Sequence, residues 1–149
     1  MNAPETPATI RPLRIEDADE IAKIYSAITQ KTARTDFKRL IRQHAQNEEE
    51  ACLVAEIDGR VVGFMISYIL TLGFGIEKSA WIATLGVNPA HMGEGIGNRL
   101  ATEIMDIYRE RGIRNVYTSV RWDSTDLLSF FKNLGFNRSN FINLRKVME

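Results

Sequence analysis

The stretch GVNPAHMGEGIGNRL, Gly86 to Leu100, decides how this chain is read. Gly93, Gly95 and Gly97 alternate directly ahead of a helical pattern. Glycine at a helix start costs conformational entropy and adds no packing, so its use there needs a physical reason. Two reasons stand open. Either a charged, bulky group comes close to bare backbone, or the turn merely tightens the packing of a strand against the next helix. The first has a mechanism. A strand ending at Val87, a turn at Asn88-Pro89 and successive N–H groups at a helix N-terminus make a site for a diphosphate, because unpaired N–H groups and the positive helix end act together.

Two other phosphate motifs fail on spacing. A P-loop needs a Lys-Ser or Lys-Thr after its last glycine, and none follows here. A dinucleotide fingerprint needs G-x-G-x-x-G, whereas here Asn98 stands at the sixth position, and Thr118 and Ser119 occupy the region where an acidic ribose ligand belongs.

Working outward, Ser79 to Val87 is apolar on both faces and reads as a central strand. The helix after the glycines carries Ile96, Leu100, Ile104, Ile107 and Tyr108 in register, and Arg109, Arg111 and Gly112 close it. Val116 to Val120 reads as a strand. Asp123-Ser124-Thr125 offers caps to a helix bearing Leu127, Phe130, Phe131 and Leu134, and Phe136 to Val147 supplies one or two final strands. Upstream, Leu53 to Ile57, the turn Asp58-Gly59 and Val61 to Leu70 form a hairpin. Thr9 to Arg14 is a short edge strand, since Pro12 cannot donate to a central ladder. Ala18, Ile21, Ala22, Tyr25 and Ile28 line one helix, and Phe37, Leu40, Ile41 and His44 line a second that Asp36 caps. The order is β-α-α-β-β-β-α-β-α-β(-β). It predicts an α+β fold: one mixed, mostly antiparallel central sheet flanked by helices. Residues 1–8 are expected to be a flexible N-terminus and 9–149 a single domain.

The totals exclude several classes. The 149 residues carry 19 basic and 19 acidic side chains, so no net charge argues for nucleic acid or an anionic membrane. Cys52 is the single cysteine, which excludes an internal disulfide and a cysteine-based zinc cluster, and His44 and His91 lack metal-ligand spacing, so no metal is expected. MNAPETPATI is no secretory signal, and Val61 to Leu72 is too interrupted and short to span a bilayer. A cytoplasmic protein is expected.

Val87-x-Pro89-x-x-Met92-Gly93-x-Gly95-Ile96-Gly97-x-x-Leu100 resembles the coenzyme-A signature of the GNAT superfamily of N-acyltransferases, commonly V-x-P-x-x-[RQ]-G-x-G-[IL]-[GA]-x-x-L. Ile10 to Arg14 with Glu16-Asp17-Ala18, and Val120 to Phe136 with its Leu-Gly-Phe ending, are similar to the family's first and later elements. The resemblance implies a GNAT fold and transfer of an acetyl group from acetyl-CoA to a primary amine by direct attack in a ternary complex. The alternative is a non-catalytic acyl-CoA-binding module on the same fold. As cofactor-binding positions it implies Leu85, Val87, Met92, Gly93, Glu94, Gly95, Ile96, Gly97, Asn98, Ser124, Leu127 and Phe131.

Several positions depart from the family pattern. Met92 replaces the usual Arg or Gln, and Phe131 stands where many members have a tyrosine that protonates the leaving thiolate. Ser124 replaces a frequent Asn and Leu127 a frequent Ala. Candidate catalytic groups are Glu77 and Asp123 as bases and Tyr117 as a substitute acid, with Tyr68 and Ser119 able to assist. Each carboxylate has a plainer role, Glu77 as a solvated loop residue and Asp123 as a helix cap. Gly86 marks either a bulge at which two strands splay to admit the cofactor or a close helix contact. The family's acceptor lies between loops that correspond here to Thr29–Thr35 and Asn137–Asn140, where Lys31, Arg34 and Arg138 disfavour a polycation. The acceptor is expected to be a small-molecule or peptide amine. Phe141-Ile142-Asn143-Leu144 suits an edge for a homodimer and equally the completion of its own sheet.

Overall fold

Asp58 and Gly59 both take positive φ, 50° and 78°, as a tight I′ hairpin turn requires. The pairing Ile57↔Arg60 closes that turn, joining β2 (Leu53–Ile57) to β3 (Arg60–Leu70). The computed structural model of the chain describes residues 8–30, 35–71 and 77–149. Within them β1 (Thr9–Pro12), β4 (Ser79–Val87) and β5 (Val116–Thr118) complete a five-stranded sheet in the order β1-β2-β3-β4-β5. All neighbours are antiparallel except β4 and β5. Pro12 lies on edge strand β1, as its missing N–H demands.

The described residues divide into two compact units, one ending at Ser119 and the other Val120–Glu149. In the first, a 3-10 turn at Ile15–Asp17 leads into α1 (Ala18–Thr29), followed by α2 (Thr35–Ala45). These two helices and one sheet face share a core that includes Ile21, Ile24, Ile41, Val54, Phe64 and Ile66. Burying each such side chain stabilises the fold by about 1.5–3 kcal/mol. Leu40, expected on the apolar face of α2, is instead 51% exposed, because Phe37 and Ile41 already fill the contact with α1 and the sheet. Lys31 and Arg34 of the expected acceptor loop lie outside the described residues, as does the Asp36 side chain expected to cap α2.

The other sheet face carries α3 (Ile96–Glu110), whose Ile96, Leu100, Ala101, Ile104 and Tyr108 are buried. Gly63 on β3 lets this helix close in: an added Cβ there would lie 2.9 Å from Ile96 Cγ2 and 3.5 Å from Leu100 Cδ1. No helix among the described residues is long and apolar enough to cross a membrane.

The second unit holds α4 (Thr125–Asn133), with Phe131 buried and in edge contact with Phe130 and Phe136 at 5.0 and 5.1 Å. The strands expected within Phe136–Val147 do not form, and no strand is present from Phe136 onward. Ile142 and Leu144 stay 81% and 88% exposed. Val116–Val120 is likewise shortened to the three residues that find partners on β4.

Candidate active site

β4 changes allegiance part-way along its length. Ala80 donates its N–H toward β5, to Asn115 O at 3.1 Å, whereas Asn88 donates toward β3, to Val62 O at 2.7 Å. In an unbroken strand two even-numbered amides point the same way. The register supplies the reason: Ile66 pairs with Thr84 but Ser67 with Ile82, so Ala83 is an extra residue, a β-bulge. Past it, alternation turns the Leu85 and Val87 amides away from β3. On that side β4 has no strand partner among the described residues, because pairing with β5 ends at Ile82↔Thr118.

Gly86 was expected to mark either this bulge or a close helix contact, and the structure decides for the contact. Gly86 is paired regularly with Phe64, and a Cβ on it would lie 2.8 Å from Phe64 Cε1 and 2.9 Å from Ile28 Cδ1. Its glycine answers to packing against a core ring and α1. The bulge falls at Ala83, a residue with no glycine signature.

Downstream of β4, Asn88 Oδ1 accepts the Ala90 N–H at 3.0 Å and shapes a 3-10 turn at Pro89–His91. Gly93 and Gly95 then take φ of 84° and 82°, a conformation that strains any side-chain-bearing residue, and a Cβ on either would meet nothing within 4 Å. The space above the turn is therefore open. Gly95 is the N-cap of α3 and no side chain caps the helix. The first intrahelical bond runs from Arg99 N–H to Gly95 O at 3.0 Å, so the amides of Ile96, Gly97 and Asn98 precede it. This turn, with the dipole of a helix of about four turns behind it, fits a diphosphate. Glu94, between the two glycines, is held by His91 Nδ1 at 2.9 Å. Met92 is 57% exposed and offers a thioether in place of a donor.

The candidate catalytic groups belong to different elements. Glu77 is exposed just ahead of β4. Asp123 does not serve as the expected cap: Ser124 is the N-cap of α4, and Asp123 instead forms a two-pronged pair with Arg121, Nε and Nη2 each at 2.9 Å. The Arg121 guanidinium holds the Asp123 carboxyl below its ordinary value, which weakens it as a base. Tyr117, on β5, stacks on Trp81 at 4.8 Å, and Trp81 lies near-parallel to Tyr68 at 6.5 Å, so these aromatics form one row across β3, β4 and β5. Ser124, Leu127 and Phe131 belong to the second unit, where Leu127 is 40% exposed. His44 faces Glu50 at 3.6 Å, away from the glycine turn in sequence and on a different helix. Sequence patterning gave no sign of the bulge at Ala83 or of the hydrogen bonds that Ser67 and Tyr108 make to each other and to Ala51. Tyr108 was visible only as a residue of the α3 apolar stripe.

The model of the acetyltransferase (GNAT) family matches residues 18–136. The chain belongs to this family. GNAT relatives include a mycothiol acetyltransferase of Amycolatopsis mediterranei, 31% identical over 115 residues, 75% of this chain and 36% of that one. A second, an uncharacterized N-acetyltransferase of Methanocaldococcus jannaschii, is 28% identical over 146 residues, 90% of this chain and 62% of the other. This GNAT chain thus spans between about a third and two-thirds of the length of these relatives. Among solved structures, an aminoglycoside N-acetyltransferase in complex with CoA superimposes with a TM-score of 0.80 at 14% identity, covering 99% of both chains. At that identity the likeness concerns the fold.

Proposed function

We propose that this GNAT chain transfers an acetyl group from acetyl-CoA to a primary amine that attacks the thioester directly while both are bound. The observation that carries the reading is the conjunction, on one strand–turn–helix, of the outward Leu85 and Val87 amides with the open Gly93–Asn98 turn. When bound, acetyl-CoA supplies an activated acyl carbonyl and a thiolate leaving group. The amides of Gly93 to Asn98 hold the diphosphate, with Met92 and Glu94 at its rim. Leu85 and Val87 donate N–H groups to the acyl carbonyl and the arm behind it, as preorganised donors that need no reorganisation during reaction.

The amine must be neutral to attack. Glu77 is the better base of the two carboxylates, since Asp123 is committed to Arg121. Phe131 has no proton to give, and Tyr117 takes the role of acid. A thiol pKa near 8.5 makes the thiolate a tolerable leaving group in any case, so a missing acid lowers the rate by about 10²–10⁴-fold without abolishing it. The acceptor is a small-molecule or peptide amine; one relative is named for mycothiol and a structural neighbour for aminoglycosides. The reading takes the chain to act in the cytoplasm, with the exposed Phe141–Leu144 segment pairing two copies.

A thermal-unfolding titration with acetyl-CoA, with NAD and ATP as controls, tests it. Ligand at a hundredfold over Kd adds about 2.7 kcal/mol, or roughly 5–10 °C. Gly95→Ala is the matching variant: it strains the αL turn by about 1–2 kcal/mol but meets no neighbour, so it folds and loses most of the acetyl-CoA shift. A wild-type chain with no shift at millimolar acetyl-CoA refutes the reading. Turnover, read as thiol release across an amine panel, separates an enzyme from a binding module.

A further inference from the structure

Groups from three distant parts of the chain close a buried ring beside the β4 bulge. The Ala51 N–H donates to Tyr108 Oη at 2.8 Å, Ser67 Oγ bonds the Ala51 carbonyl, and Ser67 Oγ lies 2.7 Å from Tyr108 Oη. Proton counting fixes the directions. The single hydroxyl proton of Ser67 goes to Ala51 O, so Tyr108 donates to Ser67 Oγ, and each group is satisfied. Ser67 and Tyr108 are both 0% exposed. At this level β2 has already left β3, and side chains replace the ladder: Cys52 Sγ donates to Ser67 O at 3.3 Å, and the Ile69 N–H goes to Glu50 Oε2 at 3.1 Å.

The place of the ring matters more than its strength. Ser67 pairs with Ile82, the residue immediately before the bulged Ala83. Tyr108 stands on the last full turn of α3, the helix whose first turn is the glycine cradle. The helix is therefore fastened to β3 at both ends. Near its start, Ile96 and Leu100 rest on Gly63 through apolar contact, which resists sliding weakly. Near its end, about 18 Å along the axis, the fastening is directional, and a shift of one residue would leave the Ala51 and Tyr108 donors unpaired in a dry site.

We propose that the Ser67–Tyr108–Ala51 ring is a positioning device that locks the Ala83 bulge, and so the Leu85 and Val87 amides, in register with the glycine turn at the head of α3. This rests on the acetyl-transfer reading, in which the two places hold opposite ends of one cofactor. Tyr108 and Ser67 touch no substrate; they act through the backbone of β3 and β4.

The test uses Tyr108→Phe and Ser67→Ala in the full chain, the second being the smaller change should the first fold poorly. Ile41→Val, in the core on the opposite sheet face, controls for lost stability. Amide ¹⁵N–¹H shifts are recorded with and without acetyl-CoA, and turnover is measured with kanamycin, glycine ethyl ester and an alanine-terminated peptide as acceptors. The expected result is that the ring variants keep the acetyl-CoA-induced shifts at Gly95–Asn98 but lose at least half of those at Leu85 and Val87. With whichever acceptor turns over, kcat falls tenfold or more while KM for acetyl-CoA stays within threefold. Unchanged shifts at Leu85 and Val87 in both variants, or a fall in kcat no larger than that of Ile41→Val, overturns the proposal. A wild-type chain with no acetyl-CoA-induced shift at either place overturns the acetyl-transfer reading itself, and this inference with it.

Discussion

Replacing Gly86 by Ala adds one methyl group at a crowded point of β4. Its Cβ would stand 2.8 and 3.1 Å from Phe64 Cε1 and Cζ, and 2.9 Å from Ile28 Cδ1. Ordinary contact begins near 3.4 Å, so both neighbours must give by half an ångström or more. Ile28 is 40% exposed and swings aside at little cost. Phe64 is 1% exposed and wedged in the core, so the ring or the strand moves instead. Overpacking of this kind costs about 1–3 kcal/mol. Alanine also restricts the unfolded chain, which returns about 0.4–1 kcal/mol. The net expectation is a loss of about 1–2 kcal/mol, or roughly 3–6 °C in Tm. Urea unfolding of Gly86→Ala, Phe64→Leu and the double variant measures it, because a smaller side chain at 64 opens the space the new methyl needs. The double variant should be more stable than the sum of the singles by about 1 kcal/mol. Strict additivity, or a Gly86→Ala protein as stable as wild type, refutes the packing explanation for this glycine.

Two further outcomes follow from charge and burial. Burial alone would push the Asp17 carboxyl up, but the Arg11 fork at 2.8 and 2.9 Å and the Arg14 N–H at 2.8 Å outweigh it and hold it below its usual 3.8. A carboxyl depressed by folding contributes stability that is complete above its unfolded pKa and is lost as pH falls through the folded one. Wild type should therefore lose stability more steeply than Asp17→Asn below pH 4, and parallel urea-melt profiles would count against the pair. Burial also pushes the Cys52 thiol up to about 11. The native chain should resist Ellman's reagent at pH 8 and react at once in guanidinium; rapid labelling of the native form would show that β2 opens locally.

Local physics is what the amino-acid order determined by itself. Asp58-Gly59 announced its hairpin because only such residues tolerate two successive positive φ values. The stripes of α1 and α3 announced their buried faces through a 3.6-residue period, and Pro12 announced an edge strand through its missing donor. The glycine turn was legible for the same reason: φ at Gly93 and Gly95 is a property of those residues and their neighbours.

Tertiary structure alone decided everything that depends on partners far away in the chain. The bulge sits at Ala83, not Gly86, because its place is set by the register of β3 against β4, and Ala83 carries no local mark of it. Asp123 turned from helix cap to the partner of Arg121, and the apolar stretch after Phe136 forms no strand. Tyr108 looked like one more core residue of a helical stripe. Its hydroxyl acquires a purpose only where folding brings it to Ala51 and Ser67, 57 and 41 positions away, since a buried donor must find its acceptor wherever the chain supplies one.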